Sequence, residues 1–229
     1  MAIVKKYPSQ IVSVIKNTED TFVLLIKSLS GRFKYLPGQF LHLSLEEYDP
    51  SAEWPESRCF SMQSSPKDEL IKLTYSVKGG FTNRMANELH PGSNITLKLP
   101  FGDLFTQEHS KSDTIFISGG TGITPFLSLF TDPVFAEYKN PKLYAGFKNN
   151  QLNLYENEIN LAKEINPSFS YSYRYQDKEG IIDISEIVKS NSINNTYFIS
   201  GPPLMIKSFK EYLLANGSKE NQIKTDDWE

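Results

Sequence analysis

Three glycine-rich runs stand out as places where the chain could hold an anion. Gly119-Gly120-Thr121-Gly122-Ile123-Thr124-Pro125 follows an apolar segment directly, with Thr124 as a candidate N-cap and Pro125 as a first-turn proline of the next helix. Ser200-Gly201-Pro202-Pro203 repeats the arrangement further on, and Gly79-Gly80-Phe81-Thr82 opens another candidate helix. Glycine lets backbone approach a phosphate closely, while a helix N-terminus offers unpaired N–H groups at the positive end of its dipole. Taken locally, each run is equally a tight turn that needs glycine for its own sake. Other chemistries leave no trace in the sequence: no serine–histidine–acid constellation, no histidine pair at metal-ligand spacing and no carboxylate dyad.

The elements that would carry these runs fall into two rhythms. Up to about residue 105, short alternating segments (Gln10–Lys16, Thr21–Leu29, Gln39–Leu45, Arg58–Met62, Leu70–Val77 and Asn94–Leu99) predict an antiparallel Greek-key β-barrel, interrupted by one helix over Phe81–Leu89. After Thr106–Asp113, strands alternate with amphipathic helices, which predicts a Rossmann-like α/β domain with a five-stranded parallel sheet. Its strands are expected at Thr114–Ser118, Lys142–Phe147, Phe169–Tyr175, Thr196–Ser200 and Gln222–Thr225. The expected domains are thus residues 1–108 and 109–229. Right-handed crossovers in strand order 3-2-1-4-5 would bring the Gly119 and Gly201 loops together at the topological switch point. The Gly119 loop departs from the dinucleotide fingerprint, because Pro125 stands at the third glycine and no acid ends the second strand, where Gly146, Phe147 and Lys148 stand. An ordinary Rossmann dehydrogenase is therefore disfavoured.

Composition narrows the partners. A formal net charge of −3, three histidines and scattered basic residues give no nucleic-acid footprint. The start lacks the apolar core of a signal peptide and no run approaches the roughly 18 apolar residues of a membrane span, so a cytoplasmic protein without a membrane span is expected. Cys59 is the single cysteine, which excludes an internal disulfide and an iron–sulfur cluster on four cysteines of this chain.

Four motifs in order, Pro37-Gly38-Gln39-Phe40, Arg58-Cys59-Phe60-Ser61 with Ser64-Ser65-Pro66, Gly79-Gly80-Phe81-Thr82, and the Gly119 and Gly201 loops, resemble the ferredoxin–NADP reductase superfamily over nearly the whole chain. The resemblance implies a barrel that binds flavin, FAD rather than FMN, and an α/β domain that binds NADH or NADPH. Arg58 then falls where the family pairs an arginine with the flavin diphosphate, a role suited to a bidentate guanidinium. Phe60 replaces the tyrosine that packs on the isoalloxazine, so stacking survives without the hydroxyl. Cys59 lies between them, and Ser61 matches the serine near flavin N5, the atom that accepts hydride. Ser76, Val77 and Lys78 match the strand bordering the flavin, and Gly79, Gly80, Phe81 and Thr82 the loop that holds its phosphates.

On the nucleotide side the resemblance implies Gly119, Gly120, Thr121, Gly122, Thr124, Pro125, Gly201, Pro202 and Met205, with Lys148 and Arg174 as candidates for a 2′-phosphate. Gln176-Asp177 stands where NADP-specific members place serine and arginine, which favours NADH. Ser200 occupies the position of the family's catalytic cysteine, Asp226 that of its terminal acid and Trp228 that of the aromatic shielding the flavin. Ser61, Ser200 and Asp226 are the catalytic candidates. Hydride transfer needs little acid–base machinery, because the cofactors carry the chemistry. The implied activity is a flavoprotein reductase passing electrons from NAD(P)H through FAD to a separate ferredoxin, flavodoxin, oxygenase component or haem protein. A reductase of free flavin and a non-catalytic nucleotide-sensing or electron-relay subunit are the alternatives.

Overall fold

The structure, a computed structural model, describes residues 3–226 and separates into two compact units, one ending at Asp103 and the other beginning at Leu104. In the first unit, β1 (Lys5–Lys16), β2 (Thr21–Ser28), β3 (Phe40–Ser44), β4 (Arg58–Ser61), β5 (Ile71–Ser76) and β6 (Asn94–Phe101) form one antiparallel sheet in the order β4-β3-β6-β1-β2-β5. The residues after β4 return to β5 and close the ends on each other. Gln63 N–H donates to the Lys72 carbonyl at 2.9 Å, and Thr74 Oγ1 donates to Gln63 Oε1 at 2.6 Å. Alternation sends Ile11, Leu24, Ile26, Leu41, Leu43, Leu73 and Leu97 into a fully buried interior. Helix α1 (Gly80–Glu88) contributes Phe81 and Met85 to that core.

β1 begins five residues before Gln10, because Pro8 does not stop it. Pro8 pairs with Thr96 of β6, and its carbonyl accepts from Leu29 N–H at 2.8 Å. Its missing N–H faces the side on which β2 has ended at Ser28, so no ladder bond is lost there. β6 likewise runs through Pro100 to Phe101 rather than stopping at Leu99.

The second unit carries β7 (Ile115–Gly119), α2 (Thr124–Phe130), β8 (Lys142–Phe147), α3 (Glu156–Ile165), β9 (Ser170–Tyr175), α4 (Gln176–Glu179), α5 (Ile184–Lys189), β10 (Tyr197–Ser200), α6 (Pro203–Ala215) and β11 (Ile223–Thr225). All five strands are parallel, in the order β11-β10-β7-β8-β9, which is the arrangement that sets the two glycine loops side by side. One sheet face packs Phe116, Leu143, Ala145 and Phe198 against α2 and α3; the other packs Ile115, Ile117 and Ile199 against α5 and α6. All seven residues of α2 are buried. Among the described residues no helix is long and apolar enough to cross a membrane.

Thr124 does not cap α2 from outside. A 3₁₀ turn over Gly120–Ile123 intervenes, and Thr124 is already helical, its hydroxyl donating to the Thr121 carbonyl at 2.9 Å. Pro125 keeps its place in the first turn.

Candidate functional site

In the first unit the flavin motif and the glycine loop meet. Arg58 opens β4, and its guanidinium lies over the Phe81 ring of α1, 5.2 Å from the centroid. At the start of α1, Thr82 Oγ1 accepts from Lys78 N–H at 2.9 Å and Gly79 N–H at 3.2 Å, and donates to the Gly79 carbonyl at 3.1 Å. That fold-back satisfies the loop's own donors and leaves the N–H groups of Gly80 and Phe81 without intrahelical acceptors. Gly79 is extended, a backbone any residue adopts, and a Cβ built at Gly79 or Gly80 meets nothing within 4 Å. Neither packing nor backbone strain demands this glycine pair. A group approaching from outside would.

Phe60 shares a sheet face with Leu41, its partner across the strand pair, and its half-buried ring meets Tyr75 edge-on at 6.2 Å. The Tyr75 hydroxyl is buried with no hydrogen-bond partner among the described residues, and burial pushes its pKa up to about 12. Cys59 faces the other way with His42, Sγ standing 3.5 Å from His42 Nε2. Burial pushes the Cys59 thiol up, against the opposing pull of Arg58, so this cysteine is a poor nucleophile. Ser61 ends β4 opposite Phe40. Ser76 closes β5, with Val77 N–H donating to the Asp20 carbonyl at 2.8 Å.

These residues fit a diphosphate-bearing flavin. Gly79 and Gly80 leave open backbone, α1 supplies donors, Arg58 supplies a guanidinium beside them, and Phe60 supplies an aromatic face. Two further features were not legible in the motif: Glu56 Oε1 lies 3.1 Å from Arg58 Nη2, and Arg84 of α1 holds Glu46 and Glu88, each at 2.9 Å. Only the Arg84–Glu88 spacing on one helix face hinted at the second.

In the second unit the two glycine loops touch backbone to backbone. A Cβ at Gly122 would stand 2.5 Å from Gly201 Cα and 2.6 Å from the Ser200 carbonyl; one at Gly201 would stand 2.9 Å from Gly119 N. Gly119 faces Pro202 and Met205. The loops therefore bring Gly119, Gly122, Gly201, Pro202 and Met205 into one place, with Gly120 and Thr121 in the intervening 3₁₀ turn. Beside them, buried Ser200 donates its hydroxyl hydrogen to Asp226 Oδ2 at 3.1 Å, and Asp226 N–H donates to the Ile199 carbonyl at 3.0 Å. Ser118 pairs with Ser200 across β7 and β10, and its buried hydroxyl has no hydrogen-bond partner among the described residues. Trp228 lies outside the described residues.

Lys148 follows β8, and its carbonyl accepts from Asp177 N–H at 3.1 Å at the start of α4. Arg174 is less available than its position suggests, because Nη2 pairs with Glu186 Oε2 at 2.6 Å and Nη1 donates to the Ile181 carbonyl at 3.2 Å. The missing acid at the end of β8 has a packing correlate: Gly146 lies under Ile182, whose Cδ1 would be 2.9 Å from an added Cβ.

Comparison with known proteins agrees with both halves. A family model of FAD-binding domains matches residues 5–125, and a model of oxidoreductase NAD-binding domains matches residues 116–211. The toluate 1,2-dioxygenase electron transfer component of Pseudomonas putida is 26% identical over 223 residues, 92% of this chain and 64% of that protein. The chain spans less than two thirds of the length of the curated relatives it matches. In fold it is similar to a ferredoxin NADP+ reductase from Neisseria gonorrhoeae with bound FAD and NADP, at TM-score 0.77 and 21% identity over 99% of both chains. The FAD/NAD binding domain of nitric oxide dioxygenase from Vibrio cholerae O1 biovar El Tor aligns at TM-score 0.81 and 15% identity, covering 98% of this chain and 99% of that one.

Proposed function

The chain belongs to the FAD-binding family of ferredoxin–NADP reductase-like flavoproteins, and from that premise we propose that it takes hydride from NADH or NADPH onto bound FAD and passes the electrons to a separate acceptor protein. The observation that carries the reading is Arg58 standing beside a helix start whose glycines no internal packing requires. When bound, FAD supplies a two-electron acceptor whose electrons can leave one at a time.

The chain's own residues bind and orient. Arg58 and the N–H groups of Gly80 and Phe81 hold the diphosphate, and Phe60 offers its ring to the isoalloxazine. Ser61, Ser76, Val77, Lys78 and Thr82 complete the flavin border. In the second unit the Gly119–Gly122 turn and Gly201-Pro202 bring backbone to the nucleotide. The Ser200 hydroxyl donates to Asp226, so its oxygen would be left to accept a hydrogen bond from the nucleotide. The unit ending at Asp103 forms the flavin half and the unit beginning at Leu104 the nucleotide half, five residues before the boundary expected at 108 and 109. Asp177 disfavours a 2′-phosphate, which makes NADH the preferred donor.

The recipient is read as a separate protein, since the 229 residues hold one cysteine and a four-cysteine cluster needs four. An oxygenase component is the favoured recipient, in line with the toluate 1,2-dioxygenase relative, whose name describes an electron transfer component. A cytoplasmic location is part of the reading.

A second reading, reduction of free flavin, is favoured by the Glu56 carboxylate that already neutralises Arg58. Gel filtration after FAD loading separates the two: yellow protein is expected for the electron-transfer reading, and colourless protein with flavin in the small-molecule fraction for the other.

A further inference from the structure

Glu56 stands two residues before Arg58 and faces two arginines at once. Its Oε1 is 3.1 Å from Arg58 Nη2, and its Oε2 is 3.6 Å from Arg84 Nη1. Arg84 is anchored elsewhere, to Glu46 Oε1 and Glu88 Oε1 at 2.9 Å each, and Glu46 is itself held by the Ser44 hydroxyl at 3.0 Å. Among the described residues Arg58 has no second carboxylate. Besides Glu56 it donates only to the neighbouring Ser57 carbonyl, at 2.8 Å, among its hydrogen bonds to the described residues. Both Arg58 and Glu56 are about half exposed, with side-chain exposures of 53% and 50%.

We propose that Glu56 is a resident counter-anion of the flavin site, neutralising Arg58 before flavin arrives and passing to Arg84 when the diphosphate takes Arg58. The inference rests on the reading of Arg58 as a diphosphate ligand and adds what sets the affinity. A carboxylate and a diphosphate of like charge compete for one guanidinium, so the flavin must displace Glu56 rather than meet a free cation. The receiver is already in place. The 3.6 Å contact with Arg84 already lies within ion-pair range. The Glu56–Arg84 pair thereby tunes flavin retention, in the direction of a cofactor that can be exchanged.

The test is a double-mutant cycle on the full chain, freed of flavin and titrated with FAD while its fluorescence quenching is followed. Glu56→Gln keeps the shape and removes the charge, and is expected to lower the FAD Kd about two- to fivefold, the size of a partly exposed ion pair. Arg84→Gln removes the receiver and is expected to raise the Kd by a similar factor. In the double variant the Arg84 effect should vanish, because there is no carboxylate left to receive. Glu56→Ala guards against a specific effect of the new amide, and matched melting curves exclude a folding defect. An unchanged or raised Kd in both Glu56 variants, or an Arg84 effect that persists in the double variant, overturns the proposal. A wild-type chain that quenches no FAD overturns the flavin reading beneath it.

Discussion

The glycine loops of the two units look alike in sequence and differ in what their glycines are for. In the second unit Gly122 and Gly201 are demanded by the protein itself, since a Cβ at either would lie within 2.9 Å of backbone atoms of the other loop. In the first unit Gly79 and Gly80 face open space. A loop whose glycines are already used for packing can be conserved in shape with or without a ligand. A loop whose glycines serve no internal contact points outward, to something that must come close. The flavin assignment therefore rests on firmer structural ground than the nucleotide assignment, although the Gly119 run is the more conspicuous motif.

The sharpest way to break this contrast is to add one methyl group to each loop. Gly122→Ala has backbone on the other side, which cannot swing away like a side chain, and is expected to cost about 3 kcal/mol or more, seen as a lowered melting temperature. Gly80→Ala should leave the melting temperature unchanged or raise it, since alanine is better than glycine in a helix by up to about 1 kcal/mol. FAD affinity should nevertheless fall in Gly80→Ala. Equal melting temperatures for the two variants would dissolve the distinction.

A smaller effect concerns affinity alone. Arg58→Gln removes a half-exposed guanidinium that covers one face of the Phe81 ring, and a hydrogen bond to a charged group is worth about 1.5–3 kcal/mol. FAD affinity should therefore drop roughly tenfold to a hundredfold, read by fluorescence quenching, with thermal stability intact.

The smallest effect is shared by both units. His42 in the first and His109 in the second have lowered pKa values, each mainly because burial penalises the charged ring, with Lys98 adding to the effect at His42. At His109 the hydrogen bond to the Gln107 carbonyl opposes the shift, and Lys111 and Lys224 reinforce it. The folded state then binds fewer protons than the unfolded chain, so stability should fall as pH drops through the ordinary histidine value of about 6.5. Denaturant midpoints measured on either side of that pH should show the decline, and His42→Gln and His109→Gln should each flatten it.

Much of this arrangement could be read from the sequence, and what could not has physical causes. Alternation located the barrel strands and periodicity located the parallel sheet, including the order that joins the Gly119 and Gly201 loops. The start of β1 was hidden by Pro8, because the tolerance of a proline depends on where the neighbouring strand ends. Thr124 looked like a cap because local rules count from the first periodic residue, and an inserted 3₁₀ turn shifts that count. The Glu56, Glu46 and Arg84 cluster was beyond reach, since Glu46 and Arg84 are 38 positions apart and meet only in three dimensions. Glu186 on Arg174 escaped for the same reason: an arginine at a suggestive position reveals nothing about which acid already holds it.

The central claim is that this chain moves electrons from a nicotinamide nucleotide to FAD. Anaerobic titration of the FAD-loaded protein with NADH, and separately with NADPH, tests it directly through the visible absorbance of the flavin. Stoichiometric bleaching, reached more readily with NADH, is the expected result. Flavin that stays fully oxidised in the presence of excess NADH and excess NADPH would contradict the account.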